Sequence, residues 1–468
     1  MVVQKPLEAV LIGAGQRGAD SYAPYALLHP DQLRFVAVAE PLAARRSRFA
    51  AQHNIPPERQ FDSWEALLAQ PQMAEAAFIC TQDWQHTAPT IAALDAGYHV
   101  LLEKPMATTA EECRLLVERA EASGRQLHIC HLLRYTRHFQ KMREIVQSGV
   151  LGDVIDIAHR ENVNFWHMAH SYVRGNWRNS RETSPMILAK CCHDFDILLW
   201  LLENGQGGRK VLRLSSEGAL THFRSQNAPP GAPMRCTDGC PAADTCLYYA
   251  PWIYGSLEPV WRDVAASSTG LPSLAVKAYL KQPGLIRAAA KAAPILRQIT
   301  EYRGLPISAV AHDPSPENVM QALREGPYGR CVYHCDNDVV DHQVVLMRAE
   351  DDITVTLTMH GHSHTESRTT RIEGTRGRLM AQMGTGGSRI IVDEHRSDRH
   401  TRYNTGAIDT NGHGGGDHAL VEAFLRSITG SGETARTTAR QSLASHLLAF
   451  AAEKARLECR VIEGEHLT

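Results

Sequence analysis

The sequence lacks a strong charge imbalance. Its 468 residues include 49 lysines and arginines against 51 aspartates and glutamates, for a formal net charge of −2. Because there is no overall basic field to attract polyanions, neither nucleic acid nor an anionic membrane is an expected partner. The chain also has no apolar run of about 18 residues, the length that a membrane-spanning helix needs.

Cysteine is too sparse for a disulfide-bonded scaffold, with 11 cysteines in the chain. The N-terminal stretch MVVQKPLEAVLIGAG shows no basic region, apolar core and cleavage site in succession. A secretory signal is therefore not expected. We expect a reducing, cytoplasmic location instead. Cys236, Cys240 and Cys246 share one loop, but their spacing matches no common zinc motif. Packing or redox-sensitive thiols are favoured there over a structural zinc site, and no other metal site is expected.

A glycine-rich turn follows the first apolar run. AVLIGAGQRG holds G-x-G-x-x-G at Gly13, Gly15 and Gly18, and the next apolar run ends at Glu40, about 20 residues later. In a dinucleotide-binding fold the glycines permit a tight turn and a close approach of the pyrophosphate. The acidic residue accepts hydrogen bonds from the ribose hydroxyls. Because a carboxylate repels a 2′-phosphate, Glu40 favours NAD over NADP.

The following segments alternate between strand-like and helix-like patterns. Strands are predicted over 76–81, 99–105 and 126–135, and helices over 86–97 and 108–124. Thr108, with Glu111 three residues later, has the pattern of a capping box at the start of the second helix. Alternating strands and helices with short links predict a doubly wound parallel sheet, with ligands at the carboxyl ends of its strands.

Glu103, Lys104 and Pro105 lie at such a strand end. Most lysines at strand ends are merely solvated. A lysine beside a nicotinamide pocket, however, can have its pKa lowered by burial and by neighbouring cations. Lys104 is therefore a candidate for exchanging a proton with a substrate hydroxyl.

Together these motifs resemble the Gfo/Idh/MocA oxidoreductase family. The segments that carry the resemblance are GAGQRG at 13–18, EP at 40–41, TQDWQH at 81–86, EKP at 103–105, LLRYTRHFQKMREIVQSGVLGDV at 132–154, HDFD at 193–196 and RIEGTRGRL at 371–379. They follow the family's order over most of the chain.

The resemblance implies an α/β protein of two domains. Residues 1–150 would form an N-terminal Rossmann domain with a doubly wound parallel sheet. Residues 151–468 would form a C-terminal α+β domain with a large, mostly antiparallel sheet and an insertion at roughly 205–325. It also implies a tightly held NAD, or less readily NADP, a carbohydrate substrate and a homo-oligomer, either dimer or tetramer. The cofactor-binding residues it implies are Gly13, Gly15, Gln16, Arg17, Gly18, Glu40, Thr81, His86 and Glu103.

The resemblance also makes Lys104 and His193 the residues that handle the proton of the reacting hydroxyl. Many dehydrogenases of the family have an aspartate four residues before that histidine, whereas this chain has Ala189. Lys190 comes next and is a third catalytic candidate. A helix is expected here, capped by Ser184 and started by Pro185. The departure at Ala189 puts the usual proton relay in doubt.

Residues 164–185 have no apolar period and are predicted to form a loop. The loop is rich in side chains suited to sugars, since tryptophan faces pack on C–H surfaces and Arg and His donate to hydroxyls. Its candidates for substrate binding are Trp166, His170, Arg174, Trp177 and Arg178. The alternative is a loop packed on its own aromatics. Later, His413 and Asp417 in a glycine-rich stretch either edge the site or only end strands.

Three functions remain open. The first is an NAD-dependent oxidoreductase acting on a sugar, sugar derivative or polyol. The second is an NAD-dependent glycoside hydrolase, which oxidises a sugar hydroxyl, eliminates the glycosidic substituent, adds water and re-reduces, with no net use of NAD. The third is a nucleotide-sensing regulator without enzymatic activity, against which the retained Lys104 and His193 argue.

Overall fold

The structure is a computed structural model that describes residues 5–204, 207–267, 270–311, 313–384, 387–406, 415–430 and 436–467. The described residues fold around two large sheets, and a two-stranded ribbon accompanies them. None of the helices in these ranges is both long and apolar enough to cross a membrane.

The first sheet has six parallel strands in the order β3-β2-β1-β4-β5-β6. The strands are β1 (Leu7–Ile12), β2 (Leu33–Ala39), β3 (Gln60–Phe61), β4 (Ala76–Ile79), β5 (His99–Leu102) and β6 (Leu127–Ile129). The helices of this half are α1 (Pro24–Leu28), α2 (Ala43–His53), α3 (Trp64–Leu68), α4 (Thr87–Asp95), α5 (Ala110–Ser123) and α6 (Arg137–Gln147). The strand order reverses between β1 and β4, which is where a doubly wound sheet binds its ligand.

Burial explains why the strands of this sheet read as continuous apolar runs. All four residues of β4 are buried, as are the last four of β1. A parallel sheet with helices on both faces leaves no face for polar side chains. The predicted doubly wound sheet is confirmed. The strand predicted over 126–135 is shorter, because β6 ends at Ile129 and a 3₁₀ turn occupies Leu132–Tyr135.

The second sheet has nine strands in the order β16-β15-β14-β13-β7-β12-β11-β10-β17. Only β7 and β12 pair in parallel, so the sheet is mostly antiparallel, as predicted. The remaining strands of the chain are β7 (Val154–Asn164), β8 (Glu203–Asn204), β9 (Gly207–Gly208), β10 (Val211–Ala219), β11 (His342–Ala349), β12 (Thr354–Ser363), β13 (Ser367–Gly374), β14 (Gly377–Gly384), β15 (Gly387–Glu394), β16 (His400–Asn404) and β17 (Ile462–Glu463). Strands β8 and β9 form the separate ribbon.

Helices pack on one face of this sheet and join it to the first domain. The remaining helices are α7 (Phe165–Met168), α8 (Met186–Leu202), α9 (Glu258–Ser267), α10 (Gly270–Lys281), α11 (Pro283–Ala290), α12 (Arg297–Thr300), α13 (Ile307–Val310), α14 (Pro316–Glu325), α15 (Gly416–Ile428) and α16 (Ala439–Glu458). Helix α16 packs against α8 and β10 and also contacts α5 of the first domain. The C-terminal helix therefore ties the two halves together.

A long excursion separates β10 from β11. It holds α9 to α14 and has its own apolar cluster around Tyr254, Trp261 and Val276. The sequence placed an insertion at roughly 205–325. Strand β10 lies inside that range but belongs to the nine-stranded sheet, so the excursion begins after β10.

Two local expectations differ from the structure. The segment predicted as a loop contains α7 and a π-helix over Ala169–Arg174. Ser184 does not cap α8: Pro185 is the N-cap residue, and the hydroxyl of Ser184 instead donates to Asp83 Oδ2 at 2.6 Å. The sequence could not anticipate this because Asp83 lies in the other domain.

Candidate functional site

The glycine turn after β1 has the close backbone contacts that the motif predicts. Gly13 has φ +93°, and a Cβ there would lie 2.6 Å from the carbonyl oxygen of Cys80, so no other residue fits. Gly18 packs against the carbonyl of Gly13. At Gly15 a Cβ would meet nothing nearer than 3.9 Å, which leaves space for a phosphate to approach the backbone. Gln16 begins the helical turn that follows, Gln16–Tyr22.

Glu40 lies directly after β2, beside this turn. Its Oε2 accepts the N–H of Ala14 at 2.8 Å, and its Oε1 accepts the N–H of Leu42 at 3.0 Å. Each carboxylate oxygen keeps lone-pair capacity for a further donor. Thr81 Oγ1, at the end of β4, is buried with no partner in the part of the chain that the structure describes. The open approach at Gly15, the carboxylate and this orphaned hydroxyl fit a bound NAD.

Arg17 and Glu103 form an ion pair that joins the turns after β1 and β5. Arg17 Nε donates to Glu103 Oε1 at 2.6 Å, and Arg17 Nη2 donates to Asp417 Oδ1 at 2.7 Å. Tyr22 also donates to Glu103. Burial alone would raise the pKa of Glu103, but the charges of Arg17 and Lys104 outweigh it and lower that pKa. These contacts support the cofactor turn. Asp417 thus edges the site, while His413 lies outside the described residues.

His86 links the turns after β4 and β5. Its Nδ1 lies 2.7 Å from the carbonyl oxygen of Pro105, and its Nε2 lies 3.2 Å from that of Thr81. The ring is buried. His86 therefore holds the EKP turn against the TQDWQH segment. Its contacts fix the relative position of the two turns that border the site.

Lys104 and His193 are brought together by helix α8. Lys104 Nζ donates to the carbonyl oxygen of Ala189 at 2.8 Å, and Ala189 lies one helical turn before His193. The ammonium thus contacts the backbone of α8 at Ala189. His193 is mostly buried, and its Nδ1 lies 3.4 Å from Nδ1 of His131.

The sequence did not single out His131. It lies two residues after the end of β6, at the same sheet edge as Lys104. Burial lowers its pKa well below the ordinary value, and the charges of Arg134 and Lys104 lower it further. His131 lies inside the strand predicted over 126–135, where no strand end marks it, and its partner His193 lies 62 residues away.

The positive charge of Lys190, one residue after Ala189, is balanced by two carboxylates. Its Nζ lies 2.7 Å from Glu366 Oε1 and 3.3 Å from Glu161 Oε1, and its side chain is 12% exposed. Burial alone would lower the pKa of Lys190, but these carboxylates raise it above the ordinary value. The pKa of Glu161 is raised to about 7, chiefly by burial. As a protonated, paired ammonium, Lys190 organises the wall of the site next to His167, which contacts Glu366 at 3.0 Å.

Arg368 on β13 extends the same charged network to helix α8. Its guanidinium lies 2.7 Å from Glu161 and 2.8 Å from Asp194, and Asp194 also accepts from His159 at 2.8 Å. Because Asp194 follows His193, these contacts fix the rotation of α8 against the sheet. Sequence reasoning missed Arg368 and Glu161, which are polar residues on strands.

The tryptophans of the 164–185 segment remain candidates for substrate contact. Trp166 Nε1 and Trp177 Nε1 are both buried without a hydrogen-bond partner among the residues that the structure covers. The ring of Trp177 lies 6.1 Å from that of Tyr172. A buried indole N–H normally has a partner, so these two donors are suited to a ligand oxygen.

His170 and Arg174 contact the excursion between β10 and β11. The ring of His170 stacks on Tyr328 at 4.7 Å, and burial lowers its pKa to about 3. Arg174 is fully buried and donates to the carbonyls of Arg330 and Tyr248 at 2.7 and 2.6 Å. These contacts anchor the excursion, and a role in binding substrate stays a prediction for both residues.

Arg178 lines an open cavity between the two domains. Its Nε donates to Asp336 at 3.0 Å. The cavity has a volume of about 470 Å³ and is lined by Gln82, Trp84, Asn176, Arg178, Glu182 and Thr183. The side chain of Trp84 is 56% exposed there.

The cysteine loop lies next to the guanidinium of Arg174. The Arg174 guanidinium contacts Cys236 Sγ at 3.5 Å, and the thiols of Cys236, Cys240 and Cys246 are free. Within the described ranges, no three His, Cys, Asp or Glu side chains are arranged to hold a metal ion.

Comparison with protein families identifies both halves of the chain. Residues 7–131 match the model described as "Oxidoreductase family, NAD-binding Rossmann fold". Residues 143–228 match the companion model, "Oxidoreductase family, C-terminal alpha/beta domain". The chain belongs to the Gfo/Idh/MocA family. Its two sheets, one parallel and one mostly antiparallel, are the two domains of this Gfo/Idh/MocA protein.

Similar proteins include sugar-related and diol dehydrogenases. The chain is 34% identical over 161 residues to trans-1,2-dihydrobenzene-1,2-diol dehydrogenase of Bos taurus, covering 34% of this chain and 46% of that one. It is 32% identical over 162 residues to inositol 2-dehydrogenase of Pseudomonas savastanoi pv. phaseolicola, covering 34% and 44%. The matches thus span about half the length of these relatives.

A solved structure with a similar fold is the aldose-aldose oxidoreductase from Caulobacter crescentus in complex with glycerol. Its TM-score is 0.62 with 13% identity, and the match covers 98% of this chain and 100% of that one. At this identity the likeness shows the fold alone.

Proposed function

We propose that the protein is an NAD-dependent oxidoreductase that acts on a CH–OH group of a sugar, sugar derivative or polyol. One observation carries the proposal. Lys104 Nζ contacts the backbone of α8 at Ala189, one turn before His193, at the carboxyl edge of the parallel sheet. The two residues proposed to handle the proton thus lie on adjoining elements, the turn after β5 and helix α8. The names of the dehydrogenase relatives support the class of reaction and substrate.

The residues proposed to hold NAD are those of the glycine turn and the strand ends around it. The backbone at Gly15 faces the pyrophosphate, and Glu40 accepts hydrogen bonds from the ribose hydroxyls of the adenosine. Because Glu40 would repel a 2′-phosphate, NAD is preferred over NADP. When bound, NAD supplies the hydride acceptor and donor of the reaction.

His193 and Lys104 are proposed to move the hydroxyl proton. Oxidation of a CH–OH carbon requires that the oxygen lose its proton as the carbon loses its hydride. A neutral imidazole of His193 is suited to accept the proton, and the Lys104 ammonium is suited to hold the oxygen by a hydrogen bond. With Ala189 in place of an aspartate, no carboxylate from α8 competes for Lys104 at that position.

The proposal is tested by offering the purified protein NAD⁺ with myo-inositol, common aldoses and trans-dihydrodiols. NADH formation from at least one of these classes is expected. For that substrate, His193→Ala should lower kcat by about 10²-fold or more, as should Lys104→Met. A partly exposed lysine on α6 supplies the matched control: Lys141→Met should leave kcat unchanged. If neither site variant alters the rate, the assignment of the site is refuted.

A second candidate function is an NAD-dependent glycoside hydrolase. The open cavity lined by Trp84 and Arg178 favours it, because that cavity offers space for a substituent beyond a single sugar ring. The altered position at Ala189 also departs from the dehydrogenase pattern. Such an enzyme would oxidise a sugar hydroxyl, eliminate the substituent, add water and re-reduce the product without net use of NAD.

Aryl glycosides distinguish the two candidates. Release of the aryl alcohol with no accumulation of NADH would establish the glycosidase and exclude the net dehydrogenase. NADH formed from free sugar, with no release from any aryl glycoside, would do the opposite. Trp84→Ala should impair only the first of these reactions, because Trp84 lines the cavity outside the Lys104–His193 pair.

A homo-oligomer, dimer or tetramer, in the cytoplasm is also proposed. Val344 and Leu346 on β11 are 41% and 47% exposed on the sheet face opposite the helices. Exposed apolar side chains on an open sheet face are suited to a contact between copies. Light scattering during size-exclusion chromatography should give at least twice the monomer mass, and Val344→Lys with Leu346→Lys should reduce it.

A further inference from the structure

A chain of buried hydrogen bonds runs from His193 to the backbone of Met106. Its members come from four parts of the fold: the turn after β5, the turn after β6, helix α8 and helix α16. In order, the side chains are His193, His131, Ser445 and His446. We propose that His131 is a positioning residue that keeps His193 in the tautomer with a proton on Nδ1 and none on Nε2. This inference rests on the proposed role of His193 in proton transfer.

The direction of donation along this chain of hydrogen bonds is set at Met106. The N–H of Met106 can only donate, and it lies 2.9 Å from Nε2 of His446. Nε2 therefore carries no proton, so that in a neutral ring the proton is on Nδ1. That N–H donates to the carbonyl oxygen of Ser442 at 2.8 Å. Burial lowers the pKa of His446 to about 3, which keeps the ring neutral.

Ser445 determines which ring nitrogen of His131 carries the proton. Its hydroxyl donates to the carbonyl of Ser442 at 2.8 Å, so its single proton is used there. Its oxygen lies 3.5 Å from Nε2 of His131. Because this oxygen can only accept from the ring, the His131 proton sits on Nε2. His131 Nδ1 is then a bare acceptor.

His193 completes the chain. Its Nδ1 lies 3.4 Å from the bare Nδ1 of His131, and two unprotonated nitrogens would repel at that distance. His193 therefore donates from Nδ1, which leaves Nε2 as its basic atom. The same logic operates wherever a partner at one ring nitrogen selects the tautomer used at the other.

His131 must stay neutral to act as an acceptor. The charged groups that face it are Arg134 on its own turn, Lys104 and Glu103 after β5, and Asp194 on α8. Burial and the two cations disfavour its protonation, and the two carboxylates only partly offset them, so its pKa is well below the usual value. His131 thus remains an acceptor across the neutral range.

The first test measures the tautomer directly and needs no substrate. The full-length protein, with and without NAD⁺, is labelled with ¹⁵N histidine, and the His193 signals are assigned by their loss in His193→Gln. The expected imidazole shifts are those of a protonated Nδ1 and a bare Nε2. A protonated Nε2 at neutral pH overturns the inference.

Two substitutions separate hydrogen bonding from packing. In His131→Asn the amide oxygen can accept at the place of Nδ1, whereas His131→Phe offers no acceptor. The His193 tautomer should persist in His131→Asn and become mixed in His131→Phe. His138→Phe is the matched control: it replaces a buried histidine whose Nδ1 contacts Thr405 Oγ1 at 2.9 Å.

Kinetics provides the second readout. On the fastest sugar or polyol of the substrate panel, His131→Phe should lower kcat by about tenfold or more with little change in KM, and should shift the acid limb of the pH profile. His131→Asn should restore most of the rate. If His193→Ala is fully active, the proposed function fails. If His193→Ala is inactive while His131→Phe keeps the wild-type tautomer and pH profile, only the inference about His131 fails.

Discussion

At the scale of single residues, the glycine turn shows how the same amino acid serves two purposes. Gly13 is required by the fold, because its φ of +93° and its contact with Cys80 exclude any side chain. Gly15 is under no such restriction, since a Cβ there would meet only the end of the Arg45 side chain at 3.9 Å. The two glycines should therefore respond differently to the same substitution.

We expect Gly13→Ala to lower the free energy of unfolding by about 1–3 kcal/mol, because the alanine would be strained and would displace the Cys80 backbone. Gly15→Ala should leave stability within about 0.5 kcal/mol but weaken NAD binding, since its methyl group occupies the space facing the pyrophosphate. Urea unfolding and NAD titration calorimetry measure the two quantities. Equal losses of stability in both variants would contradict this assignment.

At the scale of elements, two helix caps differ from those that the sequence predicted. The start of α5 was expected at Thr108, but the N-cap is Thr109, whose hydroxyl accepts the N–H of Glu112 at 3.2 Å. Both threonines are followed by an acidic residue three positions later, so the local pattern does not choose between them. At α8 the predicted cap, Ser184, bonds Asp83 of the other domain instead.

The caps of α5 can be distinguished by substitution. Thr109→Ala should lower the free energy of unfolding by about 1 kcal/mol, because it leaves the N–H of Glu112 without its acceptor. Thr108→Ala is the matched control and should cost markedly less. Thermal unfolding of the two variants provides the measurement. A larger loss for Thr108→Ala would return the cap to the position that the sequence first indicated.

At the scale of the whole molecule, buried histidines link stability to pH. Burial lowers the pKa of His128 and His138 to about 4, and that of His170 and His446 to about 3. In the unfolded chain a histidine has a pKa of about 6.5. Below pH 6.5 these histidines become protonated in the unfolded state but stay neutral in the folded state. The unfolded state therefore binds more protons. Each group therefore contributes stability that is fully present above pH 6.5 and is lost as pH falls towards the folded value.

We expect the free energy of unfolding to fall between pH 6.5 and 4, with each of these histidines contributing about 1.4 kcal/mol per pH unit at most. His170→Phe keeps an aromatic ring for Tyr328 to stack on but removes one titrating group, so it should flatten this dependence. His395→Phe, at an exposed position, should not. Urea midpoints measured from pH 7 to pH 5 give the slopes. An unchanged slope in His170→Phe would contradict the expected linkage.

The Rossmann half could be predicted from local patterns of the sequence, and the family and the second, mostly antiparallel sheet from the resemblance that the motifs carry. The glycine turn, the buried strands and Glu40 lie within one short stretch, and the motif itself states their chemistry. The positions of Lys104 and His193 as site residues follow from the same kind of motif. Their roles in proton transfer remain proposals.

Only the tertiary structure decided which partner each polar side chain meets. Lys190 is balanced by Glu161 and Glu366, and His193 is oriented by His131, all from other elements. A charged or titratable group in the interior takes its state from its nearest neighbours, because the low dielectric there makes contacts of about 3 Å dominate. Those neighbours are distant in sequence, so the pattern marks which residues matter, and the fold determines what each of them does.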